Sequence, residues 1–549
     1  MGAVGVKGIR GTVLGRFCWT RSSGLPCAGG GVWHDADPMS TCTRDATMPA
    51  ADYDLSPFGV EHFAGAGLED ARRDKSLIDL GNRIVRHPHG SLPDKFKDPN
   101  ALRRCYDLMN TDTVTHAKVL RPHTRRTAEL LLEHQGVALC LHDSTELDFT
   151  SLTSLHEQLG QIGDGGGRGY ECHNSLVVLP QSRRVLGLLA QQLHHRADVP
   201  KGETPAQRRE REDRESLLWP HGAEATGTVV EEVCAEQSLD RLPKGLRLVD
   251  VFDRGGDSFE FLDYLQAHDR SYVGRAQHDR NIRIGHEAHG AEGKLKGHLR
   301  SLPAQGPSRT ITVRSHEGGP QREATVVLSW AAVTLPPPQQ QCGHSRRIPL
   351  LVWVVRVWEP ASPKGIEAVE WFLLTNVPVE SEADAWERVE WYCARWVIEE
   401  YHKAQKTGCS IEDPQFTTVE ALEPMIAVLS VVAVSLLNLR DLSRDKETQH
   451  LPATQVVRQE EMEVLSGHYH KKQRVLTVRE FFLLLARLGG HQNRKKDHPP
   501  GWLVLWRGWQ ELQTMVAGAR AIRTPRDTME NPSQSGMQRA PGGQNKRHT

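Results

Sequence analysis

Two apolar runs in the first half of the chain predict buried strands, and each run ends at an aspartate. The segment GVALCLHDST reaches Asp143, and GLRLVDVFDRGGD reaches Asp253. Between them, YECHNSLVVLP follows the turn-forming GDGGGRG, a pattern typical of the return strand of a hairpin. We therefore expect both aspartates to terminate buried strands. An aspartate after a strand is also common as a helix cap or turn residue, so neither one alone defines a site.

The segment YCARWVIEEYHKAQKTG, residues 392–408, has the period of one α-helix with a polar face. At about 100° per residue, five of its polar side chains fall within roughly 80° of arc. They are Tyr392, Arg395, Glu399, Lys403 and Lys406. The opposite side is apolar and can pack on a core; it carries Ala394, Val397, Ile398 and Tyr401. A surface helix with ordinary ion pairs four residues apart would show the same stripe, so Glu399 needs partners from elsewhere in the chain.

Further strands and buried helices are predicted in the second half of the chain. The segments RTITVRSHEGG, EATVVLSWAAVTL and RRIPLLVWVVRVW alternate or run as strands, interrupted by PPPQQQCGHS. The longest apolar run, MIAVLSVVAVSLLNL, has about fifteen residues, too few to span a bilayer, and predicts a buried helix. We expect it to pack on the helix predicted for VREFFLLLARLGG.

Composition and charge place nucleic-acid binding in local patches. The 549 residues carry a net charge of −1 with 38% hydrophobic content, which predicts several packed domains and no global attraction to DNA. Residues 67–126 are the exception, with thirteen Lys/Arg against eight Asp/Glu. The ten cysteines form no zinc-type spacing. We interpret Cys172 with His173, and Cys409 with His402, as packing residues.

Both ends of the chain have the composition of disorder. Residues 1–56 are Gly-rich and basic without the continuous apolar stretch of a secretory signal, and residues 522–549 are rich in Pro, Gly, Ser and Gln. Met39 and Met48 are alternative translation starts within the first segment.

The combined carboxylates predict a metal site. Two aspartates at strand ends and a glutamate displayed from a later helix supply the oxygen ligands that two divalent cations require. Two ions about 3.5–4 Å apart can activate a water or a sugar hydroxyl and stabilise the leaving oxygen of a phosphodiester. In such a site, Arg395, Lys403 and Lys406 would hold DNA phosphates.

These residues also carry a family resemblance. Tyr392, Arg395, Glu399 and Lys406, with every interval intact, resemble the signature helix of the insertion-sequence-four family of bacterial DDE transposases, the Tn-five type. The HDST block resembles the one around that family's first catalytic aspartate, Asp143 here. DVFDRGGD resembles the second block, with Asp253 as the catalytic residue and Arg254 and Asp257 as its companions. The resemblance covers roughly residues 57–521.

The resemblance implies an α/β fold in which an RNase H-like mixed-sheet catalytic core carries a β-rich insertion. Helical regions for DNA binding and for dimerisation would flank this core. The implied division begins with the disordered extension 1–56 and the DNA-binding domain 57–126. The core follows in two parts, 127–274 and 381–440, with the insertion 275–380 between them. The dimerisation region 441–521 and the disordered tail 522–549 complete the chain.

The implied activity is Mg²⁺-dependent cut-and-paste transposition with two ions, which Mn²⁺ could replace. Asp143, Asp253 and Glu399 would be both catalytic residues and metal ligands. DNA contacts would come from Tyr392, Arg395, Lys403, Lys406, Arg254, Trp371 and Arg275. Trp371 would stack on a base flipped from the DNA end, although a tryptophan in EWFLLT also suits a core. The partners would be double-stranded element ends and target DNA, held by a homodimer in a synaptic complex. The protein would be cytoplasmic and nucleoid-associated in a bacterium, and would not bind a membrane.

Two other functions remain open at this point. A nuclease with an RNase H fold would cut DNA without joining it, and an inactive element-derived protein would only bind DNA. One departure from the family pattern bears on activity: the Gly255-Gly256 pair inside the second aspartate block, which we expect to loosen the turn beside Asp253.

Overall fold

Five helices fold the N-terminal region around an apolar core. The computed structural model describes residues 57–197, 202–204, 207, 210–285, 290–313, 322–339, 346–494 and 497–523, so the predicted extension 1–56 lies outside the described residues, as does the tail from residue 524. The helices are α1 (Pro57–Phe63), α2 (Ala71–Arg86), α3 (Leu92–Phe96), α4 (Pro99–Met109) and α5 (His116–Leu132). Side-chain oxygens of Asp70, Asp98 and Thr115 accept hydrogen bonds from first-turn N–H groups, which explains where α2, α4 and α5 begin.

A twelve-stranded mixed sheet follows. Its strands are β1 (Gly136–Asp148), β2 (Gly160–Ile162), β3 (Gly167–Val178), β4 (Val185–His194), β5 (Leu246–Phe252), β6 (Ser271–Arg275), β7 (Asn281–Ile284), β8 (Glu292–Lys294), β9 (Arg309–Val313), β10 (Arg322–Leu335), β11 (Leu350–Trp358) and β12 (Glu370–Thr375). The order across the sheet is β2-β3-β1-β5-β6-β12-β11-β10-β7-β8, with β4 paired to β3 and β9 paired to β10. Helices α6 (Leu218–Glu236), α7 (Phe259–Ala267) and α8 (Leu295–Ser301) lie between strands in the chain. The predicted mixed α/β class is confirmed at this level.

The prediction that Asp143 terminates a buried strand was wrong. The parallel pairing of β1 with β5 ends at His142 and Phe252, but β1 continues to Asp148. Its second half stays in the sheet because β3 pairs with it antiparallel from Leu139 to Asp148, the hairpin that the sequence predicted. Asp143 therefore lies inside a strand and does not terminate it, whereas Asp253 does follow directly on the end of β5.

The strands predicted between residues 275 and 380 extend this same sheet. Strand β12 pairs antiparallel with β6 on one side and with β11 on the other, so the parallel group β1, β5 and β6 passes directly into the antiparallel group. Residues 314–319 of the segment RTITVRSHEGG lie outside the described residues, and its first part is β9.

The segment 392–408 is not one continuous helix. Helix α9 (Glu382–Ala394) ends at Arg395, α10 (Trp396–Lys403) begins there, and a π-helical turn covers Ala404–Gly408. At the break, the N–H of Arg395 donates to the carbonyl of Tyr392 and the N–H of Ile398 donates to the carbonyl of Arg395, which tightens the turn. The prediction of a single regular helix was wrong, because side-chain periodicity does not report a local change in hydrogen-bond register.

Four C-terminal helices complete the described part of the chain: α11 (Val419–Arg444), α12 (Gln459–His470), α13 (Val478–Leu488) and α14 (Trp502–Arg523). Helix α11 is long and apolar enough to cross a membrane, but 89% of its most apolar window is buried inside the protein. It packs against α5, β4, α13 and α14, as predicted for a buried core helix. Helix α14 continues to Arg523, two residues into the tail that was predicted to be disordered.

Candidate functional site

Asp143 and Asp253 lie at the same level of two adjacent strands, β1 and β5. Because the register of β1 and β5 pairs His142 with Phe252, the two aspartates are the next residue on each strand. The Oδ1 of Asp253 accepts a hydrogen bond of 2.6 Å from the N–H of Gly255, which starts a short 3₁₀ turn. The end of the parallel pairing between β1 and β5 thus brings two carboxylates to the same side of the sheet, one inside β1 and one just after β5.

Glu399 arrives at this side of the sheet from α10, and Arg395 connects it to Asp143. The Nη1 of Arg395 lies 2.7 Å from Oδ2 of Asp143, and its Nη2 lies 3.0 Å from Oε1 of Glu399. The side chains of Arg395 and Asp143 are only 9% and 13% exposed. One guanidinium therefore bridges two carboxylates from different elements in a nearly buried site.

The charges at this site are not fully balanced. Burial, with added repulsion from Asp253 and Glu399, raises the pKa of Asp143 to about 7 in spite of the opposing effect of Arg395. Burial by itself would lower the pKa of Arg395, but Asp143 and its neighbours raise it above its ordinary value. Arg395 therefore offsets only part of the effect that burial and the two other carboxylates have on the pKa of Asp143.

His402 joins these carboxylates, which the sequence interpretation missed. One ligand atom each from Asp143, Glu399 and His402 lie within 4.8 Å of one another. The imidazole is buried, and burial together with Arg395 and Lys406 lowers its pKa to about 3, so the ring is neutral. The signal was present in the sequence: Glu399 and His402 are three positions apart, the Glu-x-x-His spacing that places two ligands on one helix face.

A basic groove of about 850 Å³ opens beside the carboxylates. Nine basic side chains line it against four glutamates, and the basic ones are Arg183, Arg254, Arg275, Lys296, Arg300, Arg309, Arg395, Arg440 and Arg444. Trp371, on β12, lies in its wall, with its ring 5.4 Å from that of Tyr392 and the guanidinium of Arg275 5.9 Å from its centroid. The groove thus combines positive charge, which suits DNA phosphates, with an aromatic face, which suits an unstacked base.

The predicted cations do not all converge. Arg254 and Arg275 line the groove with Arg395, and the buried Tyr392 lines it through its ring. Lys403 is exposed on α10. Lys406 lies in the π-helical turn and pairs with Glu412, at 3.4 Å, so in this structure it is engaged away from the carboxylates.

The two glycines after Asp253 have a packing role. Neither adopts a positive φ angle. A Cβ on Gly255 would come within 2.8 Å of the Trp219 ring, and one on Gly256 within 2.7 Å of the Phe252 ring. The expectation that they loosen the turn was therefore wrong, because the turn is closed by a side-chain hydrogen bond and covered by an indole.

A second cluster of possible ligands lies deeper. Cys140, His142 and Asp250 are buried and within ligand distance of one another, but Asp250 already accepts from His142 Nε2 at 2.9 Å and from Arg270 Nη2 at 2.6 Å. Burial alone would raise the pKa of Asp250, yet Arg270 and His142 lower it to about 2. This carboxylate is balanced by its partners, so the cluster ties β1 to β5 and does not call for a cation.

Comparison with known families identifies the N-terminal helices. Residues 58–114, which span α1 to α4, match the family model described as transposase DNA-binding. The matched range falls inside the predicted DNA-binding domain 57–126 and overlaps the basic stretch 67–126, where basic side chains on the surface include Arg72, Lys75, Lys97 and Arg103. The chain therefore carries a DNA-binding domain of the transposase type, which supports a transposase class for this protein and DNA as its partner.

Proposed function

We propose that this protein is a metal-dependent DNA transposase of the cut-and-paste type, similar to the insertion-sequence-four family. The observation that carries the proposal is the approach of Glu399 to Asp143 through Arg395, with Asp253 at the same level after the neighbouring strand, beside a basic groove and in a chain with a transposase-type DNA-binding domain. The sheet region in which β1, β5 and β6 run parallel next to the β1–β3–β4 antiparallel group would serve as an RNase H-like core.

The residues at this site fit divalent cations. Asp143, Asp253 and Glu399 offer only carboxylate oxygens, which suit Mg²⁺ and Mn²⁺, and three carboxylates beside the single guanidinium of Arg395 support a cation at this place. When bound, two such ions would activate an attacking oxygen and stabilise the leaving one.

The chain's own residues would position the DNA. Arg395 would release one carboxylate as positive charge enters the site and turn its fork toward a phosphate in the groove that it already lines. Arg254 and Arg275 would hold neighbouring phosphates. Lys403 and Lys406, on the helical segment that carries Arg395, would hold phosphates farther from the carboxylates. Trp371 would present its indole face to an unstacked base.

The proposed chemistry is a series of phosphoryl transfers. A water oxygen bonds to phosphorus at the element's end, and the 3′ oxygen leaves with a proton as a free 3′-hydroxyl. That hydroxyl attacks the opposite strand, displaces the flanking DNA and leaves a hairpin, which a second water reopens. The regenerated 3′-hydroxyl then attacks target DNA. Two protein copies, paired through the C-terminal helices, would hold the two ends together.

The test is a cleavage and strand-transfer assay on DNA that carries the gene's own flanking ends, with Mg²⁺ or Mn²⁺. Wild type is compared with Asp143→Asn and Glu399→Ala, and with Asp148→Asn as a control carboxylate on the same strand. Hairpin and joined products that disappear in the first two variants only would support the transposase. Cutting without joining would identify a nuclease, and sequence-specific binding without cutting would identify a DNA-binding protein.

A further inference from the structure

We infer that His402 is a nitrogen ligand of the cation site formed by Asp143 and Glu399, and that it shifts the site's preference from Mg²⁺ toward a transition ion such as Mn²⁺. The inference rests on the proposed carboxylate site and adds to it a ligand of a different chemical kind. Its consequence is a mixed oxygen and nitrogen donor set, in place of carboxylates alone.

The position of His402 on α10 supports this assignment. His402 follows Glu399 by three residues, so both side chains project from the same helix face toward β1. The ligand atoms of Asp143, Glu399 and His402 lie within 4.8 Å of one another. Two atoms bound to one ion at about 2.1 Å are at most about 4.2 Å apart, so closure onto a shared ion requires movements of less than about 1 Å.

The Nε2 lone pair of the ring faces Asn174, the residue opposite Asp143 on the neighbouring strand. The Nδ2 of Asn174 lies 3.3 Å from Nε2 of His402, and Asn174 is the cross-strand neighbour of Asp143. Because the oxygen of Asn174 accepts from Gln191 Nε2 at 2.7 Å, its N–H₂ group must face the ring, so Nε2 is the acceptor. The lone pair thus points at the strand pair that carries the first carboxylate, and its present hydrogen bond is a long one that a cation can replace.

The side chain that contacts Nε2 is itself held in place by a buried polar network. Gln191 Nε2 donates to Ser430 Oγ at 2.9 Å, and Gln405 Nε2 donates to the same oxygen at 3.0 Å. The His402 side chain is therefore connected through Asn174 to a buried polar chain that runs into α11, and its residue is only 6% exposed.

The chemistry of the ligand atoms predicts which ion His402 would bind more tightly. Mg²⁺ prefers oxygen ligands and binds imidazole poorly, whereas first-row transition ions accept nitrogen ligands readily. Loss of His402 should therefore weaken Mn²⁺ binding more than Mg²⁺ binding.

The experiment is pulsed electron paramagnetic resonance of Mn²⁺ bound to the full-length protein, which detects the nucleus of a directly coordinated nitrogen. We expect ¹⁴N modulation in wild type, a changed pattern when histidine is labelled with ¹⁵N, and loss of the signal in His402→Gln. The exposed His468→Gln, on α12, is the matched control and should retain it. We also expect the Mn²⁺ dissociation constant of His402→Gln to rise at least about tenfold, with a smaller rise for Mg²⁺.

The labelled wild type answers the question even if His402→Gln folds poorly. No nitrogen coupling in wild type, with Mn²⁺ binding that is still lost in Asp143→Asn, would overturn the role of His402 and leave the carboxylate site standing. Nitrogen coupling that persists in a folded His402→Gln would also overturn it. Mn²⁺ binding that is unaffected by Asp143→Asn would instead remove the carboxylate site, and with it the proposed function.

Discussion

The Nη1 of Arg395 lies 2.7 Å from Oδ2 of Asp143, although 252 positions separate the two residues in the chain. Asp143 belongs to β1, and Arg395 stands at the break between α9 and α10, so the contact joins the sheet to the helix that carries Glu399. Both side chains are nearly buried, where a charge without a partner is costly. In the absence of a cation, Arg395 therefore stabilises the carboxylates and fixes the angle at which α10 approaches them.

Removal of this guanidinium should destabilise the metal-free protein. We expect Arg395→Ala to lower the free energy of unfolding by roughly 3 kcal/mol in the presence of a chelator, because Asp143 loses its buried counter-charge. Mn²⁺ should restore part of that loss. Urea unfolding with and without Mn²⁺ measures both effects, and Lys403→Ala, an exposed change on the same helix, should stay within about 0.5 kcal/mol of wild type. Equal losses in the two variants would contradict this role of Arg395.

The raised pKa of Asp143 predicts a pH-dependent stability. Its pKa is about 7 in the folded protein against an ordinary value of 3.8, so the folded state holds this proton more tightly than the unfolded chain. The resulting stability is present below about pH 4 and is lost as the pH rises through about 7. Without metal, Asp143→Asn should therefore become more stable relative to wild type as the pH rises across that range.

The neighbouring Asp148 provides a control of opposite sign. A hydrogen bond from Thr150 lowers its pKa, so its contribution to stability is present above the ordinary pKa and is lost as the pH falls. Because both its folded and its unfolded pKa lie at or below 3.8, Asp148→Asn should differ from wild type by a constant amount between about pH 4 and pH 8, whereas the Asp143→Asn difference should change across that range. Urea unfolding of both variants in chelator between about pH 4 and pH 8 makes the comparison. Parallel pH profiles for the two variants would show that Asp143 does not titrate as described.

Trp371 should contribute to DNA binding through its ring. Base stacking on an aromatic side chain contributes about 1–3 kcal/mol, so Trp371→Ala should weaken binding of end DNA at least about fivefold, and Trp371→Phe should restore most of it. Fluorescence of 2-aminopurine at successive positions of the DNA end would report a base that leaves the stack. Unchanged binding and fluorescence in Trp371→Ala would assign the residue to the core.

The basic groove should make DNA binding dependent on salt. Each phosphate contact that is lost should reduce the slope of log affinity against log salt by about 1. Arg275→Ala and Arg254→Ala should each do so. Arg474→Ala, an exposed change outside the groove, should leave the slope unchanged. Titrations of labelled DNA at several salt concentrations give these slopes, and equal slopes for all three variants would place the DNA elsewhere.

The turn after Asp253 should not tolerate a side chain. In Gly255→Ala, the new Cβ would lie 2.8 Å from the Trp219 ring and 3.0 Å from Oδ1 of Asp253, so we expect a loss of about 1–3 kcal/mol in stability together with weaker Mn²⁺ binding. Gly293→Ala has no atom within 4 Å of the new Cβ and should be neutral. Thermal unfolding and Mn²⁺ titration of the two variants test this packing role.

Local patterns in the sequence determined a good part of the molecule. Alternating and continuous apolar runs identified β1, β3, β5, β10 and β11, because side-chain periodicity follows directly from backbone geometry. The uncharged run MIAVLSVVAVSLLNL identified the buried part of α11. The basic stretch 67–126 pointed to DNA, and the matched transposase DNA-binding range, residues 58–114, overlaps it.

Only the tertiary structure decided how these parts meet. The end of the parallel register at His142 and Phe252 sets Asp143 and Asp253 side by side, and no local pattern contains a register between strands about a hundred residues apart. The approach of His402 to Asp143 likewise depends on a long-range contact, whereas the break at Arg395 and the pairing of Lys406 with Glu412 are local features that periodicity does not report. The sequence therefore specified which side chains could do the chemistry, whereas packing between distant elements decided which of them share a site.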